Sequence, residues 1–134
     1  MDVSAKIESF LSAGPYAVVG ASRDRRKYGN KVLRCYLQHG LEVFVVNPSA
    51  TEVEGVPSVP SLRRLTTPVR GISVITPPTV TERIIEDAPA AGAELAWMQP
   101  GAESAAAVDR AGALGLTVIS GGPCILVALG FRDV

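Results

Sequence analysis

Apolar residues in this chain fall into two patterns. Short unbroken runs rich in β-formers recur, and between them apolar positions lie three or four residues apart. The first such segment, Val3 to Ala13, sets Val3, Ile7, Phe10 and Leu11 on one helical face. Asp2 stands in capping position and Gly14-Pro15 is the stop. Tyr16 to Ala21 follows as a first strand and Ser22 to Tyr28 as a polar loop. A helix from about Gly29 to Gln38 turns Val32, Leu33, Tyr36 and Leu37 inward and ends at Gly40. Glu42 to Val46 is the second strand, closed by Asn47-Pro48. Thr51 to Pro60, with Gly55, Pro57 and Pro60, is expected to be irregular, and Ser61 to cap a single turn at Leu62–Leu65.

The second half repeats the alternation. Gly71 to Ile75 is a third strand, stopped by Pro77-Pro78. Thr79 is expected to cap a helix to about Ala91, with a defect at Pro89, where the ring removes a donor. Glu94 to Met98 is a fourth strand, Gly101 to Leu114 an alanine-rich helix, Leu116 to Ser120 a fifth strand and Cys124 to Leu129 a short helix. Five apolar strands alternating with helices imply an α/β fold, a parallel sheet covered on both faces. Right-handed crossovers make it a doubly wound, Rossmann-like sheet. At 134 residues the expectation is a single domain over 1–134.

Composition narrows the function. Thirteen Lys and Arg balance thirteen Asp and Glu, which gives no global reason to bind nucleic acid or an anionic membrane. Two cysteines and one histidine suffice neither for a disulfide scaffold nor for a structural metal site. Residues 111–131 carry no charge, but Gly115, Gly121-Gly122 and Pro123 break them into a strand, a turn and a buried helix rather than a membrane span. Met1 to Phe10, with Asp2, Lys6 and Glu8, does not read as a secretory leader, so the expected compartment is the cytoplasm. The balance is uneven locally: six basic residues lie between Arg23 and Arg34, against Asp24 alone.

In a doubly wound sheet, ligands sit beyond the carboxyl ends of the strands. The segments there are Gly20–Tyr28, Asn47-Pro48, Thr76–Pro78, Gln99–Gly101 and Gly121–Cys124, all rich in Gly, Pro or small polar residues. The first loop reads Gly20-Ala21-Ser22-Arg23-Asp24-Arg25-Arg26-Lys27-Tyr28-Gly29, and only its first glycine fits the G-x-G-x-x-G dinucleotide spacing. The second strand ends in Asn47-Pro48, without the acid that holds a ribose hydroxyl, and a Walker pattern is missing. The loop and the helix after it suit a pyrophosphate, and Arg23, Arg25, Arg26 and Lys27 a further phosphate. Coenzyme A fits that description and NADP competes with it. The same four side chains read equally well as a solvated surface loop.

The residues that decide between these readings come in order: Val19-Gly20-Ala21-Ser22, Lys27-Tyr28-Gly29-Asn30, Val45-Val46-Asn47-Pro48, Val56-Pro57, Ser61-Leu62, Pro77-Pro78 and Trp97-Met98-Gln99-Pro100-Gly101. Over roughly Tyr16 to Ala128 the chain resembles the small stand-alone CoA-binding proteins, similar in fold to the N-terminal domain of the succinyl-CoA synthetase α subunit. The resemblance implies that Gly20, Ala21, Ser22 and Lys27 line the phosphate site and that Tyr28 and Gly29 open the helix. It places Asn47 and Pro48 at the adenosine end, Thr76, Pro77 and Pro78 along the nucleotide pocket, and Gln99 and Gly101 nearer the pantetheine arm. Many members carry Asp-Arg-Cys after the last strand. Here Ser120-Gly121-Gly122-Pro123-Cys124 stands instead, closer to the Gly-Pro-Asn-Cys turn of larger acyl-CoA synthetases.

The remaining candidates read mostly as structure. Trp97 is expected in the sheet core, Cys35 in the helix core and His39 at a helix end. Cys124 follows a turn at a helix start, where a thiol is open to reaction. Ser22 has no base at a recognisable spacing. The reading is a module that binds coenzyme A or an acyl-CoA, with no readable catalytic set. Its alternatives are a small NADP-dependent oxidoreductase and a regulatory subunit completing an acyl-CoA ligase in trans. The expected partners are a small nucleotide ligand and either a second copy of the chain or a ligase subunit.

Overall fold

A computed structural model describes residues 1–134. The chain runs α1 (Val3–Leu11), β1 (Tyr16–Val19), α2 (Tyr28–Gln38), β2 (Val43–Val46), β3 (Glu52–Val53), β4 (Val56–Val59), β5 (Gly71–Val74), α3 (Pro78–Ile84), β6 (Leu95–Met98), α4 (Ala105–Ala113), β7 (Thr117–Ile119) and α5 (Ile125–Leu129). Single 3-10 turns add Leu62–Arg64, Ile85–Asp87 and Pro89–Ala91. The seven strands order as β3-β4-β2-β1-β5-β6-β7. All neighbours are parallel except β3 against β4, so the sheet is Rossmann-like with one short antiparallel edge.

Both faces of the sheet are covered, which is why its strands read as unbroken apolar runs rather than alternating ones. Ala17, Val19, Ile72, Val74, Ala96 and Met98 point to one face, under α3 and α4. Tyr16, Val18, Val45, Leu95 and Trp97 point to the other, under α1, α2 and α5. Phe10 of α1 packs edge-on against Trp97, with ring centroids 5.2 Å apart. One polar pair crosses this second layer: the hydroxyls of Tyr36 and Ser73 meet at 2.6 Å, satisfying both where no water reaches.

Several expectations are corrected. Residues 51–60 are not irregular but a hairpin, β3–β4, whose two-residue turn has positive φ at both Glu54 (51°) and Gly55 (79°). Those are the angles of the turn that matches strand twist, and the Glu-Gly pair is an uncommon way to make it. Pro57 hides the strand from pattern reading, and it is tolerated because the ladder of β4 with β2 begins only at Ser58. Thr79 does not cap α3. Proline supplies the fixed backbone of its first position at Pro78, with Pro77 before it. Beyond Ile84 the expected helix tightens into the two 3-10 turns, the second starting at Pro89. Helix α4 starts only at Ala105, where the Ser104 hydroxyl accepts from the Ala107 amide. Ser61 precedes its turn without a side-chain cap. Leu37 and Val3 are exposed, while Arg34 is buried in their stead on the α2 side. The uncharged stretch is split between β7 and α5, and no helix is long and apolar enough to cross a membrane.

Candidate functional site

Strand order reverses at β1: β2 lies on one side and β5 on the other. The crevice between the ends of β1 and β5 is therefore the switch point where such sheets bind ligands. The loop that starts there, residues 20–29, is framed by two glycines. Gly20 has φ +97°, and a Cβ on it would lie 2.1 Å from the Ile75 carbonyl oxygen. A Cβ on Gly29 would lie 2.2 Å from the Gly20 carbonyl oxygen. The first turn of α2 thus rests directly on the end of β1. Around this contact the backbone amides of Ala21, Ser22 and Arg23, and of Tyr28, Gly29 and Asn30, donate to no group of the chain. The last three are the orphan donors of a helix start with no side-chain cap, a place that favours an anion.

The basic loop residues divide into two kinds. Arg25 is held by Glu54 of the hairpin turn and by the Val134 carbonyl. Arg26 forks onto Asp24, whose carboxyl falls to about 2 through that hydrogen bond. Arg23 and Lys27 are exposed, with no ion-pair partner. Ser22 does loop work, its hydroxyl accepting the Asp24 amide at 3.1 Å. Behind the loop, buried Arg34 donates to Asn30 at 2.7 Å, to the Arg25 carbonyl at 2.8 Å and to Asp133 at 3.1 Å. This network fixes α2, the loop and residues 130–134 as one piece. His39 belongs to the same seam, its ring at 2.8 Å from the Gly130 carbonyl.

A cleft of about 320 Å³ opens beside Gly20. Val19, Gly20, Val46, Pro48 and Thr76, from the ends of β1, β2 and β5, form its floor. Asn47 is close by, and its side chain donates to the Ala21 carbonyl and accepts from the Ser49 amide, each at 2.7 Å. Pro77 and Pro78 are exposed at the start of α3 and do not line the cleft. Two groups of wall residues are not among the site residues expected from the sequence. Pro60, Ser61 and Leu62 follow the unrecognised strand β4. Val80, Arg83, Ile84 and Asp87 come from α3 and the turn after it, and their helical spacing was available as a signal.

Gln99, Tyr28 and Cys124 gather elsewhere, at the end of β6. The fully buried Gln99 amide oxygen accepts from the Tyr28 hydroxyl at 3.2 Å and from the Ile125 amide at 3.1 Å, capping α5. The Tyr28 hydroxyl also meets the Cys124 thiol. Burial first, and then this hydrogen bond, keep the Tyr28 phenol well above its usual range. Trp97 is fully buried and donates to the Pro123 carbonyl at 3.0 Å, which fixes the turn ahead of Cys124. Gly101, exposed at φ +95°, donates to Glu103 at 3.1 Å and stands apart from both groups. Cys35 is a core thiol, pushed up to about 11 by burial. Cys124 is only partly buried, so alkylation is expected to label it before Cys35, and Tyr28→Phe to speed that labelling further. Equal rates in the wild type would show Cys124 to be as protected as Cys35, and no change in the variant would show that the tyrosine does not shield the thiol.

The CoA binding domain family model matches residues 15–130 of the chain. The chain belongs to that family. Among solved structures, this CoA-binding domain is similar to a conserved hypothetical protein from Pyrococcus furiosus. The two are 38% identical with a TM-score of 0.78, over 84% of this chain and 97% of that one. A hypothetical protein from Pyrococcus horikoshii OT3 is 26% identical with a TM-score of 0.88, over 95% of this chain and 89% of the other. An acetyl-coenzyme A synthetase 1 of Candidatus Korarchaeum cryptofilum, solved with phosphate and ADP, is 30% identical with a TM-score of 0.71. That match covers 78% of the CoA-binding domain described here but only 25% of the synthetase. The comparison with curated proteins finds no match. The family membership supports coenzyme A as the ligand and gives none to NADP.

Proposed function

We propose that the chain binds coenzyme A or an acyl-CoA as a single module, without catalysis of its own. The six unpaired amides around the Gly20–Gly29 contact carry this reading, because together they form a cradle for a pyrophosphate at the switch point. The nucleoside end lies in the adjoining cleft over Gly20, Pro48 and Thr76. The pantetheine arm runs past Tyr28 towards Gln99 and Cys124. Arg23 and Lys27 add positive charge at the rim, and Arg26 contributes less because Asp24 engages it. The residues supply binding and orientation. No nucleophile in the cradle has a base beside it, since Ser22 is tied to the Asp24 amide and His39 stands at the far end of α2.

Calorimetry with coenzyme A, dephospho-CoA, NADP and NAD tests the ligand. Coenzyme A is expected to bind tightest. Tight NADP binding without coenzyme A binding would overturn the reading in favour of a reductase. Lys27→Ala is expected to weaken coenzyme A binding by about 1–3 kcal/mol through loss of a charge-assisted contact. Unchanged affinity in Lys27→Ala and Arg23→Ala alike would leave the backbone amides as the sole phosphate ligands. A second reading, service to an acyl-CoA ligase in trans, draws on the synthetase likeness, in which this domain corresponds to a quarter of the longer chain. Copurification of a ligase subunit with the tagged chain checks it.

A further inference from the structure

Arg83 stands on the α3 wall of the cleft and is the only cation among the residues lining it. It is exposed, and no carboxylate of the chain pairs with it. That freedom is unusual for its surroundings, because three acidic residues lie within four positions of it. Each is engaged elsewhere. Glu82 accepts from the Ser104 hydroxyl at 3.0 Å, and Glu86 holds Arg110 at 2.6 Å. Asp87, the partner a helical arginine ordinarily finds four residues on, instead holds Arg63 at 2.6 Å, linking the two walls of the cleft. On the opposite wall Pro48, Pro60, Ser61 and Leu62 carry no charge, and Arg63, the next residue, is already engaged by Asp87. The cleft therefore presents one unneutralised guanidinium, reached from the floor at Gly20 and Thr76, beside the amide cradle.

A ligand whose pyrophosphate lies on that cradle puts its ribose and base into the cleft. We infer that Arg83 is a specificity-determining residue that takes a ribose-bound phosphate, the group that distinguishes coenzyme A from dephospho-CoA. The inference rests on the coenzyme A reading above. A guanidinium presents a planar fork of donors to a phosphate dianion, whereas a ribose hydroxyl offers it little. No proton moves and no bond is made; the residue acts by charge and geometry alone.

The test is calorimetry with coenzyme A and dephospho-CoA on the wild type, Arg83→Gln and Arg83→Lys. The wild type is expected to prefer coenzyme A by about tenfold or more, the size of one charge-assisted contact. Arg83→Gln is expected to erase that preference while holding dephospho-CoA within about twofold of wild type, and Arg83→Lys to keep part of it. The thermal midpoints of the three unliganded proteins should coincide, because the side chain is exposed. Full preference retained in Arg83→Gln overturns the inference, as does an equal loss for both ligands. So does a wild type that binds both ligands equally well. In that case the coenzyme A reading stands, whereas a wild type that binds neither ligand overturns both.

Discussion

Gly29→Ala is expected to destabilise the protein by roughly 1–3 kcal/mol, the usual cost of forcing extra volume into a packed contact. Its Cβ would sit 2.2 Å from the Gly20 carbonyl oxygen, a backbone atom that cannot swing aside. Helix α2 must then lift off the end of β1, and the cradle amides of Tyr28, Gly29 and Asn30 move with it. Gly20→Ala is expected to cost more, roughly 2–6 kcal/mol, because left-handed backbone strain adds to the same kind of collision. There the obstacle is the Ile75 carbonyl oxygen at 2.1 Å. Urea unfolding measures the stability, and calorimetry at a temperature where both variants stay folded measures coenzyme A binding. Wild-type midpoints together with wild-type affinity would show that the α2–β1 contact yields easily and that the cradle does not depend on it.

The second large effect lies on the other face of the sheet. Trp97→Ala is expected to cost roughly 3–5 kcal/mol, as for other buried aromatic truncations. The side chain is fully buried, meets Phe10 edge-on and holds the Pro123 carbonyl. Trp97→Phe separates these parts. It keeps an aromatic ring against Phe10 and removes the donor to Pro123, at a cost of about 1 kcal/mol beyond the lost volume. The turn 121–124 is then held less firmly, so Cys124 should label faster while Cys35 stays protected by the core. If Trp97→Phe labels Cys124 at the wild-type rate, the hydrogen bond to Pro123 does not position that turn.

Both predictions bear on what a linear reading could reach. The five core strands were legible because each is a short run dominated by apolar residues, and all but β7 are almost wholly buried. The order of motifs from Val19 to Gly101 was sufficient for the family, though not for the hairpin β3–β4 at the edge of the sheet. The loop after β1 was recognisable as the place to look for a ligand, since strand ends are places that topology marks in advance. These features are local: a few neighbouring residues dictate each one.

Tertiary structure decided which of those residues are free to act. Arg25 and Glu54 are 29 positions apart, yet their pairing removes one cation from the loop and holds the hairpin turn at the same time. Asn47, expected at the adenosine end, also braces two loops, because its side chain donates to the Ala21 carbonyl. Arg83 carries no signal in the sequence, and only the through-space pairing of Asp87 with Arg63 leaves it unneutralised in the cleft. Gln99, Tyr28 and Cys124 come from three separate segments that meet because α5 folds back over the end of β6. Backbone preference is set within a few residues and survives in the sequence. Charge pairing, hydrogen-bond saturation and cleft walls depend on distances between segments that only the packed sheet and its helices define.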